Sequence, residues 1–136
     1  MDTSNQTEKR TLTINLETIG WVENCFNERT APDVITSQPS QIILRKDLEQ
    51  GLFGLEIGMQ IMVLFHFDRS TGYELHQHPR GDRTRPKRGV FALCSPNRPN
   101  RIGATVVEII AIEGNVITVQ GLDALNGTPV IDIKPS

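Results

Sequence analysis

A mostly antiparallel β-barrel or closed sheet is the fold class that this 136-residue sequence predicts. Three observations carry it. Six to eight short strand patterns run along the chain, turn signals recur about every ten residues, and no stretch holds a convincing helix of ten residues or more.

Residues 1–10 are polar and charged and predict a disordered tail, with a single domain over residues 11–136. Leu12, Ile14 and Leu16 alternate with Thr13, Asn15 and Glu17, the period of a half-buried strand. Residues 23–40 are mostly polar, hold Pro32 and Pro39, and predict a long loop. Ser40 to Leu44 is a second short strand, and Asp47 to Gly54 suits one helical turn with Asp47 as its N-cap. Gln60 to Phe67 is the most apolar run, and its β-branched and aromatic content favours a buried strand. Short strands are expected at Tyr73–Gln77 and Val90–Leu93, on either side of a basic loop. Ala104–Glu113 and Asn115–Gln120 read as a hairpin turning at Gly114-Asn115. A last strand, Pro129 to Ile133, follows an Asn126-Gly127 turn.

With 38% hydrophobic and 22% charged residues the composition is that of an ordinary soluble chain. The net charge of −2 gives no global sign of nucleic-acid binding, but its distribution is uneven. Residues 1–79 hold six Lys/Arg against eleven Asp/Glu, whereas residues 80–101 hold seven Lys/Arg against one acid, Asp82. Cys25 and Cys94 lie far apart without a Cys-x-x-Cys pattern, and no signal peptide or long apolar run is visible, which predicts a cytoplasmic protein with free thiols.

Gly51-x-x-Gly54-x-x-x-Gly58 lacks the spacing and the βαβ context of a dinucleotide fingerprint and reads as turns. His76-Gln77-His78 on a strand would put two imidazoles on one side, but no third ligand at suitable spacing supports a metal site. Arg80, Arg83, Arg85, Lys87 and Arg88, bracketed by Pro79 and Pro86, form a positive loop suited to phosphates, without aromatic residues among them for base stacking. Pro96 and Pro99 stiffen the loop after Cys94 and push Ser95 and Arg98 toward extended geometry, so Arg98, Asn100 and Arg101 are held at little entropic cost. Asp123 follows a strand end, a common place for a functional carboxylate; Asp132 lies between Ile131 and Ile133 and suits a solvent-facing position.

Two segments carry a family resemblance. Arg88-Gly-Val-Phe-Ala-Leu-Cys-Ser-Pro-Asn-Arg-Pro-Asn-Arg-Ile-Gly103 resembles a wording centred on Arg-Ser-x-x-Arg-Pro-Asn-Pro-Ile-Gly. Gly121-Leu-Asp-Ala-Leu-Asn-Gly-Thr-Pro-Val-Ile-Asp-Ile-Lys-Pro135 resembles Leu-Asp-x-x-Asp-Gly-Thr-Pro-Val-x-Asp-Ile-Lys-Pro. Both are similar to the TrmO (YaeB-like) family of S-adenosylmethionine-dependent tRNA methyltransferases, as are Ile19-Gly20, Leu64-Phe65 and His78-Pro79-Arg80-Gly81-Asp82-Arg83. The resemblance implies a single-sheeted β-barrel rather than a Rossmann-type methyltransferase. It also implies a homodimer that binds S-adenosylmethionine and N6-methylates threonylcarbamoyladenosine beside the tRNA anticodon.

By position, the implied cofactor residues are Asp68, Arg69, Cys94, Arg98, Pro99, Asn100, Ala104, Leu122, Asp123, Asn126 and Gly127. The implied catalytic base is Asp123 first and Asp68 second, with Arg98 and Asn100 orienting cofactor or base, and the loop 80–88 on the RNA backbone. Cys94 stands where the family usually has Arg, Arg101 where it has Pro, and Asn126 where it has Asp. The alternatives are a same-fold methyltransferase acting on a small molecule, a barrel that binds RNA or nucleotide without catalysis, and a metal-dependent barrel using His76 and His78.

Overall fold

The computed structural model describes residues 11–136, so the expected tail over residues 1–10 lies outside the described residues. The elements are β1 (Gly20–Glu23), α1 (Pro32–Thr36), β2 (Ser40–Leu44), β3 (Gln60–His66), β4 (His76–Gln77), β5 (Arg88–Gly89), β6 (Ile102–Glu113), β7 (Val116–Gln120) and β8 (Pro129–Pro135). Six strands close in the order β1-β2-β7-β6-β3-β8, every pair antiparallel, so the expected barrel is present. β4 and β5 form a separate two-stranded ribbon.

The alternating residues of each strand fill the interior. Val22, Ile42, Ile61, Val63, Phe65, Ile109, Ile117, Val119 and Val130 are buried there. Each such side chain stabilises by about 1.5–3 kcal/mol relative to exposure. β6, 12 residues long, bends where its ladder to β7 shifts register between Ile109 and Ala111. At the β6–β7 turn only Gly114 has positive φ, the pattern of a type II′ hairpin, and Asn115 Nδ2 donates to Leu44 O at 2.7 Å.

Two glycines are required by close approach. A Cβ on Gly20 would stand 2.2 Å from Ile43 O in the β1–β2 pair. Gly103 pairs with Phe65 across β3–β6, and a Cβ there would lie 2.5 Å from the Phe65 ring. Its absence admits Phe65 and Phe67 as an edge-to-face pair at 5.2 Å.

Several expected elements differ. Residues 11–17 form no strand, and Leu12, Ile14 and Leu16 are exposed. The reason is closure: β1 pairs with β2 on one side and β8 on the other, so no barrel edge is free to accept a further strand there. The loop 23–40 contains α1, begun by Pro32 in the first turn. The turn after β2 is a 3-10 helix, Lys46–Leu52, which begins one residue earlier than expected; Asp47 lies inside it and pairs with Arg45 at 2.7 Å instead of capping. Of Tyr73–Gln77 only His76–Gln77 is strand, held by β5. Val90–Ala92 is a 3-10 turn rather than a strand, with Val90 buried and Phe91 exposed.

Gly20→Ala should destabilise the fold by about 1–3 kcal/mol in denaturant unfolding. Gly51→Ala, where an added Cβ meets nothing within 4 Å, should leave stability nearly unchanged. Equal midpoints for the two variants would contradict the packing described.

Candidate active site

One end of the barrel opens into a cleft of about 1890 Å³. Its walls come from the loop after β1, the chain leaving β3, the basic segment between β4 and β5, the loop after Val90, and the β7–β8 turn. Phe65 and Phe67 line it, and both owe their positions to Gly103.

The β7–β8 turn is fixed from two sides. Thr128 N donates to Leu125 O at 3.2 Å and Gly127 takes φ of 83°, the geometry of a type II turn. Asn24 N donates to Asn126 Oδ1 at 3.0 Å, Asn126 Nδ2 to Asn27 Oδ1 at 2.9 Å, and Asn126 N to Phe26 O at 2.7 Å. Asn24 Nδ2 reaches Ala124 O at 2.8 Å. Arg69 closes the network, donating from Nη1 to Asn27 O at 2.8 Å and from Nη2 to Asn126 O. An arginine leaving β3 thus ties the loop after β1 to the turn before β8.

Asp123 sits at the head of this turn, half-buried and lining the cleft. Burial pushes its carboxyl above the ordinary carboxylate range, while the charges of Arg80 and Arg29 pull it back. A carboxylate shifted upward in a cleft is a stronger base than a free one, which suits it to take a proton. Asp82 behaves oppositely. Its Oδ1 accepts from Thr84 Oγ1 at 2.6 Å and Thr84 N at 3.0 Å, bonds that hold its carboxyl below the usual range and shape the basic loop.

Residues 22–136 match the family model described as the tRNA-methyltransferase O N-terminal domain. The chain belongs to this family. It is 38% identical over 122 residues to an S-adenosyl-L-methionine-binding protein of Archaeoglobus fulgidus, covering 88% of this chain and 86% of that one. It is 35% identical over 130 residues to the tRNA (adenine(37)-N6)-methyltransferase of Rattus norvegicus, covering 88% of this chain and 30% of that one. The crystal structure of TrmO from Pseudomonas aeruginosa superposes with a TM-score of 0.72 at 30% identity, covering 92% of this chain and 56% of the other. The chain therefore spans less than a third of the rat enzyme and about half of the bacterial structure.

Of the site residues that the TrmO resemblance implies, the fold brings Asp68, Arg69, Cys94 and Asp123 to the cleft, with Arg80, Arg83, Arg85, Lys87 and Arg88 around it. Asn126 and Gly127 do not line it; they build the turn beneath Asp123. Arg98 also stands outside the lining, and its Nη1 donates to Leu93 O at 2.8 Å, clamping the loop after Val90. Pro99 and Asn100 are exposed beyond that clamp. Leu122 is fully buried in the core, and Ala104 faces outward on β6.

The His76-x-His78 pair divides between two settings. His76 is exposed on β4, while His78 lies past its end, with Nδ1 2.8 Å from Arg85 O. Among the described residues no group of three or more His, Cys, Asp or Glu is placed to hold a metal ion. Asp132 accepts from Ile133 N at 2.8 Å and pairs with Lys134 at 3.4 Å, away from the cleft. Arg29, Asn24 and Asn27 are contributors that the sequence alone did not single out. They sit in a polar loop without a motif, and only the pairing of β1 with β8 brings them to the turn.

Because burial favours the neutral carboxyl, the folded pKa of Asp123 lies above its unfolded one. Its contribution to stability is fully present below the unfolded value and is lost as pH rises through the folded value. Asp123→Asn should therefore raise the melting temperature at pH 7, and the difference should vanish below about pH 4. A lower melting temperature at pH 7 would contradict the burial described.

Proposed function

We propose that this chain is an S-adenosylmethionine-dependent methyltransferase acting on N6 of threonylcarbamoyladenosine next to the tRNA anticodon, in the cytoplasm, as a homodimer with one domain over residues 11–136. The observation that carries the reading is a half-buried carboxylate with raised pKa, Asp123, on a hydrogen-bonded turn in a cleft rimmed by cations, in a chain of the tRNA-methyltransferase O N-terminal family. Relatives named as S-adenosyl-L-methionine-binding proteins and as tRNA (adenine(37)-N6)-methyltransferases support the cofactor and the acceptor.

The cleft lining fits the cofactor. Phe67, packed on the buried Phe65, offers an apolar ring to an adenine, and Asp68 and Asp123 offer carboxylates to a sulfonium. When bound, S-adenosylmethionine supplies an electrophilic methyl group. Asp123 takes the proton from N6, a weak nucleophile while it keeps that proton. The turn wired through Asn126 and Arg69 holds the carboxylate in place, so little reorganisation is needed as the proton moves. Arg83, Arg85, Lys87 and Arg88 receive backbone phosphates.

Exposed apolar residues on the outer face of β6, Val106 and Ile110, together with Leu12, Ile14 and Leu16, support association with a second copy. Cys25 and Cys94 are exposed free thiols, which suits a reducing compartment. No helix among the described residues is long and apolar enough to cross a membrane.

The test is transfer of a labelled methyl group from S-adenosylmethionine to tRNA carrying threonylcarbamoyladenosine. The expected result is a product methylated at N6, with Asp123→Asn slower by about 10²–10⁴-fold. Full activity in Asp123→Asn would overturn the base assignment, and no transfer by the wild-type chain would overturn the methyltransferase reading.

A further inference from the structure

Arg80 is the one non-glycine residue among the described residues with a left-handed backbone, φ 53° and ψ 25°. Holding an L side chain there costs about 1–2 kcal/mol, and such strain is concentrated at functional sites. The surroundings enforce it. Pro79 is buried, Gly81 N donates to His78 O at 3.0 Å, and Asp82 N donates to Pro79 O at 3.0 Å. Gly81 is itself left-handed at φ 72°, so the chain uses glycine at one of two adjacent left-handed positions and arginine at the other.

Arg29 reaches the same cleft from the loop after β1. Among the described residues neither guanidinium has a hydrogen-bond or ion-pair partner. Both line the cleft beside Asp123, and the charge of each lowers the pKa of that carboxyl. Two guanidinium groups without a hydrogen-bond or ion-pair partner among the described residues thus stand in the cleft of the proposed base.

We propose that Arg29 and Arg80 form a carboxylate-binding pair that receives the threonyl carboxylate of the acceptor nucleoside, and so select threonylcarbamoyladenosine over plain adenosine. The inference rests on the methyltransferase reading above. A guanidinium presents a planar fork of donors that matches a carboxylate. In threonylcarbamoyladenosine only a short chain of atoms separates N6 from the carboxylate, so a base at N6 and a carboxylate site beside it belong to one acceptor. The pair also couples recognition to chemistry. The charges of Arg29 and Arg80 lower the pKa of Asp123, and an acceptor carboxylate bound between them would offset that effect.

The test uses the full chain and two synthetic anticodon stem-loops. One carries threonylcarbamoyladenosine, and the other carries the same nucleoside with its carboxylate converted to the carboxamide. Stem-loop binding by anisotropy and methyl transfer are both read as the ratio of acid to amide. The wild type should prefer the acid by about tenfold to a hundredfold. Arg29→Gln and Arg80→Gly should each reduce that ratio, and together bring it to within about twofold of one. Arg80→Gly keeps the left-handed turn, since glycine adopts it freely, so its melting temperature should equal or exceed that of the wild type.

An unchanged ratio with both substrates weakened alike would assign the arginines to backbone phosphates and overturn the proposal. An unchanged ratio with weaker titration by S-adenosylmethionine would assign them to the cofactor's carboxylate, and also overturn it. Acid preference in binding that disappears in the variants, without methyl transfer by any of the proteins, would support the carboxylate pair while removing the methyltransferase reading. Absence of any acid preference in the wild type would overturn the pair whether or not methyl is transferred.

Discussion

The site depends on one constraint: the β7–β8 turn is hydrogen-bonded to a loop about a hundred residues away in sequence. Asn126 supplies a side-chain acceptor, a side-chain donor and a backbone donor to residues 24–27. Arg69 adds two donors from a third segment. Such bonds each contribute roughly 0.5–1.5 kcal/mol net, but their larger effect is on position, because three loops are reduced to one arrangement. Asp123 inherits its place and its partial burial from that arrangement. The family wording that the sequence resembles has Asp at position 126. Asn in this chain both donates and accepts from its side chain, so the turn is tied to Asn24 and Asn27 at once.

Behind the turn, closure of the barrel does two things. It brings β1 beside β8, so the loop after β1 reaches the β7–β8 turn at all. It also runs β3 between β6 and β8, so the chain leaving β3 enters the cleft from below and delivers Asp68 and Arg69. Gly103 serves the same end: without a side chain opposite Phe65, two aromatic rings fit where the barrel interior becomes the floor of the cleft. A rigid sheet thus carries loops whose internal bonds leave few alternatives.

Much of this was legible in the sequence where local signals agree with the tertiary structure. Gln60–Phe67 reads as a strand because its β-branched and aromatic run matches burial between two neighbours. The 104–120 hairpin reads correctly because Gly114 marks its turn. Leu12, Ile14 and Leu16 mislead because alternation describes a strand's faces and says nothing of whether an edge is free to pair. Val90–Leu93 misleads for a related reason. Its apolar residues divide between a buried Val90 and an exposed Phe91 on a single tight turn. Asp123 and Cys94 lie in the family wording, Asp68 and Arg69 follow from the resemblance by position, and all four line the cleft. Arg98 lies in the same wording yet clamps its own loop, since motif residues that shape a backbone look in sequence like those that touch a ligand. Arg29 carries no local signal and becomes visible only once the fold brings it to the cleft.

The central claim is that these loops form a cleft already organised for S-adenosylmethionine, with Cys94 and Arg101 standing where the wording that the sequence resembles has Arg and Pro. The most direct measurement is a calorimetric titration of the purified chain with S-adenosylmethionine. Saturable binding close to one molecule per chain, weakened when Asp68 or Phe67 is replaced by alanine, is the result this account predicts. No saturable heat, with or without tRNA present, would contradict it and leave a barrel that binds RNA without methyl transfer.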